Sequence, residues 1–232
     1  MIKNYKSRLQ RNEHGRKKNM EILYHSTRTE GNPVTASKAI LKGLADDGGL
    51  FVPERIPALD RSLEELSHMT YGEVAYEVMK LYFTDFTEEE LKGCIARAYD
   101  SKFDTEVIAP LVKVGDTYHL ELFHGATIAF KDMALQILPY LLSIAKKKND
   151  IKEHTVILTA TSGDTGSAAL CGFKALDDIS VIVLYPHNAI SKIQEAQMLS
   201  FNSNKAQAIA VDGNFDDCQR AVKNIFNTVK IP

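Results

Sequence analysis

Residues 155–169, TVILTATSGDTGSAA, decide the fold. Thr155 to Leu158 is short, apolar and rich in β-branched side chains, which predicts a strand, and the small residues from Thr165 onward predict a helix. Thr161, Ser162, Gly163, Asp164, Thr165 and Gly166 therefore join a strand end directly to a helix start. The order repeats twice downstream. Ser180 to Leu184 precedes a helical Ser191 to Leu199, and Ala208 to Val211 precedes a helical Asp216 to Phe226. Short apolar strands alternating with amphipathic helices predict an α/β fold, a parallel sheet wrapped by helices, because parallel neighbours need a crossover that a helix supplies. Ligands of such sheets bind beyond the carboxyl ends of the strands. Gly163 and Gly166 let backbone approach closely, the hydroxyls add donors, and the free N–H groups of a helix start attract a carboxylate or phosphate. By spacing alone, a plain helix start capped by Asp164 or Thr165 fits equally well.

Upstream, HGATIAFKD (124–132) runs into an apolar-periodic helix through Met133, Ile137, Leu138, Leu141 and Leu142. Lys131 at that helix start, flanked by Ile128 and Phe130, would lose hydration and meet the positive end of the helix dipole. Both effects favour the neutral amine that attacks aldehydes. A surface lysine beside Asp132, with the acid complementing the dipole, is the plain alternative. Leu111 to Phe123 alternates around Gly115 and Asp116 as a hairpin does, with Tyr118, Leu120 and Leu122 on one face. Ser62 with Glu65, Thr70 with Glu73, and Thr87 with Glu90 have capping-box spacing and predict three helices between residues 62 and 99.

Composition excludes several classes. With 28 Lys and Arg against 30 Asp and Glu, the chain lacks the basic excess of a nucleic-acid binder. Its apolar runs, such as Val181 to Tyr185, fall short of the roughly 18–20 residues of a membrane span. Cys94, Cys171 and Cys218 form no CxxC and have no histidine at ligand spacing, so no metal site is expected and a cytoplasmic location fits. His25, His68, His119, His154 and His187 have no evident partners. Residues 1–19 differ from the rest, with Lys3, Lys6, Arg8, Arg11, Arg16, Lys17 and Lys18 against Glu13, and are expected to be a disordered basic leader.

Five ordered motifs carry a resemblance. STRTEGNPVTASKAILKGLADDGGLFVPERIP (26–57), HGATIAFKD, TSGDTGSAA, YPHNAISKIQEAQM (185–198) and VDGNFDDCQ (211–219) together resemble the threonine synthase family. The FKD and SGDTG pair favours that family over cysteine synthases and dehydratases of the same architecture. The resemblance implies a tryptophan synthase beta-like fold (PLP fold type II) preceded by a helical amino-terminal subdomain, with boundaries at 20–110 and 111–232. It implies pyridoxal 5'-phosphate as cofactor, Lys131 as the catalytic lysine that holds it, and Thr161, Ser162, Gly163, Asp164, Thr165 and Gly166 as the loop cradling the substrate's α-carboxylate. The implied reaction converts O-phospho-L-homoserine and water to L-threonine and phosphate. Ala126 stands where the family commonly has proline, and Asn188-Ala189 replaces a glycine-containing turn. The family's glycine-rich loop for the cofactor phosphate and its partner for the ring nitrogen have no counterpart here; Gly213-Asn214-Phe215 reads better as a strand-to-helix turn. The chain is therefore expected to be an amino-terminal portion, inactive alone. A non-catalytic relative binding a small phosphate or carboxylate is the alternative, and a nucleotide-phosphate module a more distant one.

Overall fold

The computed structural model describes residues 21–29 and 31–228, the side chain of residue 227 excepted, so the leader expected over 1–19 lies outside the described residues. The described chain opens with β1 (Tyr24–Ser26), α1 (Ala36–Lys42) and β2 (Phe51–Pro53), the two strands pairing antiparallel. Three helices follow, α2 (Leu63–Ser67), α3 (Tyr71–Tyr82) and α4 (Glu88–Ala98). Each starts where the hydroxyl and carboxylate spacing puts it. The side chains of Ser62, Thr70 and Thr87 accept from the N–H of Glu65, Glu73 and Glu90, and each glutamate accepts from the cap's own N–H.

The hairpin is β3 (Leu111–Val114) and β4 (Thr117–Leu120), with Gly115 at φ 61° in its turn. Both strands are exposed along their whole length, so the face carrying Tyr118 and Leu120 stays open to solvent. The single helix expected after Lys131 is instead two pieces, α5 (Asp132–Leu135) and α6 (Leu138–Lys148). Pro139 is the cause: its nitrogen has no hydrogen to give the Leu135 carbonyl, so the helix restarts around it. That carbonyl faces Gly172 instead, where a Cβ would lie 2.3 Å from the oxygen.

The remainder alternates as the sequence predicts: β5 (Thr155–Ala160), α7 (Asp164–Phe173), β6 (Ile179–Pro186), α8 (Lys192–Ser200), β7 (Ala206–Val211) and α9 (Phe215–Thr228). The strands form a parallel sheet of order β5-β6-β7, in which Thr155 lies opposite Ile179 and Val181 opposite Ala206. Ile179, Val181, Val183 and Tyr185 alternate along β6 and pack with Leu170 and Phe173 of α7 and Met198 of α8. Full burial of each such aliphatic or aromatic side chain stabilises the fold by about 1.5–3 kcal/mol. Helix α9 lies against β5 and β6.

Helix α6 belongs to two cores at once. Leu142 joins the sheet cluster, while Leu141 and Ala145, with Ile137 just before the helix, pack against Ala36 of α1 and Leu91, Cys94, Ile95 and Ala98 of α4. Lys146, only 2 % exposed, donates to the carbonyls of Glu153 and Asp178 and pairs with the Asp178 carboxylate at 2.8 Å, closing the amino ends of β5 and β6. Asn188 turns the chain after β6 at φ 58°, a left-handed conformation that asparagine tolerates and that explains how it fills a glycine-type turn. Among the described residues, no helix is long and apolar enough to cross a membrane.

Candidate active site

The loop after β5 is organised by its first residue. Thr161 extends the ladder by donating its N–H to the Leu184 carbonyl, and its hydroxyl, on a residue 2 % exposed, turns inward. That one oxygen accepts from Gly163 N and Gly166 N, both at 3.0 Å. The cap of α7 is Gly163, at φ 140°, so neither Asp164 nor Thr165 holds that position as sequence spacing had allowed. A residue with Cβ is excluded here twice over, by φ and by Gln194, whose amide nitrogen would be 2.5 Å away. Gly166 is enclosed by Thr161, Met198 and Val183. Ser162 and Asp164 are exposed, and the N–H groups of Asp164 and Thr165 have no acceptor among the described residues. Two free donors at the start of a ten-residue helix, beside an exposed hydroxyl, suit a carboxylate.

The Lys131 loop is held from inside by Asp132, which is 0 % exposed. Its carboxylate accepts from Thr127 N at 2.7 Å, Thr127 Oγ1 at 2.9 Å and Gln136 Nε2 at 3.1 Å. Gly125 makes room: a Cβ there would lie 2.6 Å from the Asp132 side chain. Asp132 is thus a buried clamp and not the surface companion of a lysine. The clamp holds Ile128 at φ 61°, a conformation that costs a β-branched residue about 1–3 kcal/mol. Lys131 is half-buried, its Nζ 4.7 Å from the Phe130 ring centroid, with neither hydrogen bond nor ion pair among the described residues. Two expectations for it need correcting. Helix α5 is only four residues long, too short for a useful dipole, and Ile128 and Phe130 are 71 % and 58 % exposed, so they do not dehydrate the amine within this chain.

His124 ties the start of this loop to the segment before the hairpin. Its ring nitrogens face Asp104 at 2.5 Å and Glu121 at 2.9 Å, and the His124 carbonyl accepts from Asp104 N. Hydrogen bonds to Glu121, then Asp104, raise its pKa above the ordinary histidine value. Helix α8 brings the two candidate loops together. Gln194 Nε2 donates to Asp164 Oδ1 at 2.8 Å, and Gln197 Nε2 donates to the Thr127 carbonyl at 3.0 Å. Neither glutamine, nor Asp132 in its clamping role, is evident from sequence; the i, i+3 spacing of the glutamines was the available signal. Gly213-Asn214-Phe215 is a helix start, with Asn214 N donating to Asp217 and Asp217 N to the Asn214 side chain, so a carboxylate already fills the place a phosphate would take. Of the histidines without evident partners, His154 reaches Ser180 and His68 reaches Glu64. Among the described residues, no group of three or more His, Cys, Asp or Glu is placed to hold a metal.

A family model described as "Threonine synthase N terminus" matches residues 23–99. The threonine synthase of Eremothecium gossypii is 42% identical over 223 residues, which cover 89% of this chain and 43% of that protein. The chain matches the amino-terminal part of threonine synthases. Among solved threonine synthases, the yeast enzyme superposes with a TM-score of 0.81 at 38% identity, over 90% of this chain and 44% of that one. The PLP-bound threonine synthase of Brucella melitensis gives 0.80 at 35% identity, over 90% and 45%. The fold is therefore that of PLP fold type II threonine synthases, and the chain spans under half the length of those relatives.

Proposed function

We propose that this chain carries the lysine side of a threonine synthase active site, in a lyase that uses pyridoxal 5'-phosphate to convert O-phospho-L-homoserine and water into L-threonine and phosphate. The carrying observation is Lys131: a half-buried amine with neither hydrogen bond nor ion pair among the described residues, on a loop locked by the buried Asp132 and joined through α8 to the 161–166 loop. These residues fit an aldehyde cofactor, because the amine is accessible, has no counter-charge to leave, and sits on a fixed backbone. When bound, the cofactor supplies an electron sink that acidifies the α and β carbons of an amino acid. Lys131 is then the catalytic residue that holds the cofactor and carries protons to and from those carbons. The free N–H groups of Asp164 and Thr165 and the Ser162 hydroxyl hold the α-carboxylate. Thr161, Gly163 and Gly166 give that loop its shape. The substrate's γ-carbon loses phosphate, water adds at the β-carbon, and the atoms balance. The named relatives support this reading, as do three free, buried cysteines for a cytosolic setting.

Borohydride reduction of the chain mixed with pyridoxal phosphate, followed by peptide mapping, tests it. The pyridoxyl label is expected on Lys131. Lys131→Ala should lose that label and nearly keep the unfolding midpoint, since a half-exposed side chain resting on the exposed Phe130 ring adds little packing. Principal labelling of any other lysine refutes the assignment. So does unchanged phosphate release from O-phosphohomoserine when the polypeptide carrying this chain bears Lys131→Ala.

A further inference from the structure

Helix α8 begins with a capping box in which Ser191 caps and Gln194 occupies the third helical position. Gln194 Oε1 accepts from the Ser191 hydroxyl at 3.0 Å and from its N–H at 3.4 Å, which turns Nε2 outward to Asp164. The amide is thereby fixed at both ends, and Gly163 lies directly beneath it. One turn on, Gln197 reaches the Thr127 carbonyl, while the N–H and hydroxyl of Thr127 are the groups bound by Asp132, the neighbour of Lys131. Residues at i and i+3 share a helix face with Cβ atoms about 5–6 Å apart. The helix itself is anchored by Met198, fully buried in the sheet core, and by Glu195, which accepts from the Tyr185 hydroxyl at 2.9 Å.

We propose that Gln194 and Gln197 are paired positioning residues, through which one rigid turn of α8 fixes the Asp164 carboxylate and the Lys131 loop relative to each other. This rests on the reading of those loops as the substrate and cofactor sides of one site. The physical need is clear at Asp164. It is the first residue of α7, next to the two unfilled N–H groups, and a carboxylate free to swing over them would compete with an anionic ligand and repel it. Gln194 holds it to one side. At Lys131 the need is different: the strained Ile128 and the absence of a long helix leave the loop dependent on its clamps, and Gln197 supplies the one that comes from α8.

Glutamate substitutions separate this role from simple space filling, because they keep the shape and exchange a neutral donor for an anionic acceptor. Glutamate at 194 also preserves the capping box, so Gln194→Glu should keep the helix start and exchange the hydrogen bond to Asp164 for a repulsive contact between two carboxylates. Two measurements on the 232-residue chain are needed. In hydrogen exchange without ligand, Gln197→Glu should speed exchange over residues 125–131 and Gln194→Glu over 161–166, each by about three- to tenfold, the loss of one hydrogen bond. In pyridoxyl labelling, Gln197→Glu should slow modification of Lys131 by a similar factor, with the unfolding midpoint unchanged. Unaltered exchange in both loops overturns the brace, as does exchange that rises uniformly along the chain. If exchange changes as expected but wild-type Lys131 takes no label, the brace stands and the proposed function fails.

Discussion

Replacing Asp132 should separate the clamp from everything around it. In the folded chain its carboxylate meets three donors, Thr127 N, Thr127 Oγ1 and Gln136 Nε2, with no solvent at hand. Asp132→Ala strands all three. Hydrogen bonds to a charged group are each worth about 1.5–3 kcal/mol, and the three share one carboxylate, so the total should fall short of their sum, at about 3–5 kcal/mol. For a chain of this length that is a drop of roughly 6–20 °C in the unfolding midpoint, at about 2–4 °C per kcal/mol. Asp132→Asn should cost far less, about 1–2 kcal/mol. Its oxygen can take the Thr127 N–H, while its NH2 group faces a hydroxyl that can rotate to accept and a Gln136 amide that can flip. Thermal unfolding followed by circular dichroism gives both numbers, and pyridoxyl labelling of Lys131 should fall in step with them. If alanine and asparagine lower the midpoint equally, or alanine by less than asparagine, the clamp is not made of these hydrogen bonds.

Two further outcomes test the frame. Gly172→Ala drives a Cβ to 2.3 Å from the Leu135 carbonyl, a backbone atom that cannot rotate away, and should cost about 1–3 kcal/mol, whereas Gly93→Ala in α4 meets nothing within 4 Å and should raise the midpoint slightly; equal effects would mean α7 and α5 are not in tight contact. His124 has a raised folded pKa, so the stability it contributes is complete below the ordinary histidine value near 6.5 and is lost as pH rises through the raised value. Hydrogen exchange over residues 121–126 should therefore quicken with pH beyond its intrinsic pH dependence, and His124→Gln should remove that excess; an excess that survives the substitution assigns it to another group.

Local chemistry was legible in the sequence and distant chemistry was not. The hydroxyl and carboxylate pairs at 62 and 65, 70 and 73, and 87 and 90 need only one another, so their spacing was enough to place three helix starts. The parallel pairing of β5, β6 and β7 followed from strand and helix alternation, because parallel neighbours need a crossover that a helix supplies. Pro139 was visible too, yet the apolar period on both sides of it reads as one helix; period reports the buried face and is blind to a missing N–H. Asp132 beside Lys131 invited its reading as a surface acid that complements the helix dipole. Its true partners are five residues back and four ahead, and a tight loop around Gly125 was needed to bring them inward.

Gln194 shows why such residues escape notice. At the third position of α8 it is fully accounted for by its cap with Ser191, and that local explanation is correct. It uses only the amide oxygen. The nitrogen, left pointing away by the same geometry, finds Asp164 thirty positions back in the chain because β5 and β6 are paired in parallel and both loops emerge at the same edge. A side chain with two functional ends can satisfy a local rule with one and a tertiary rule with the other. Glutamate at 194 would satisfy the cap alone, so the two roles can be told apart by a single substitution that sequence pattern treats as neutral.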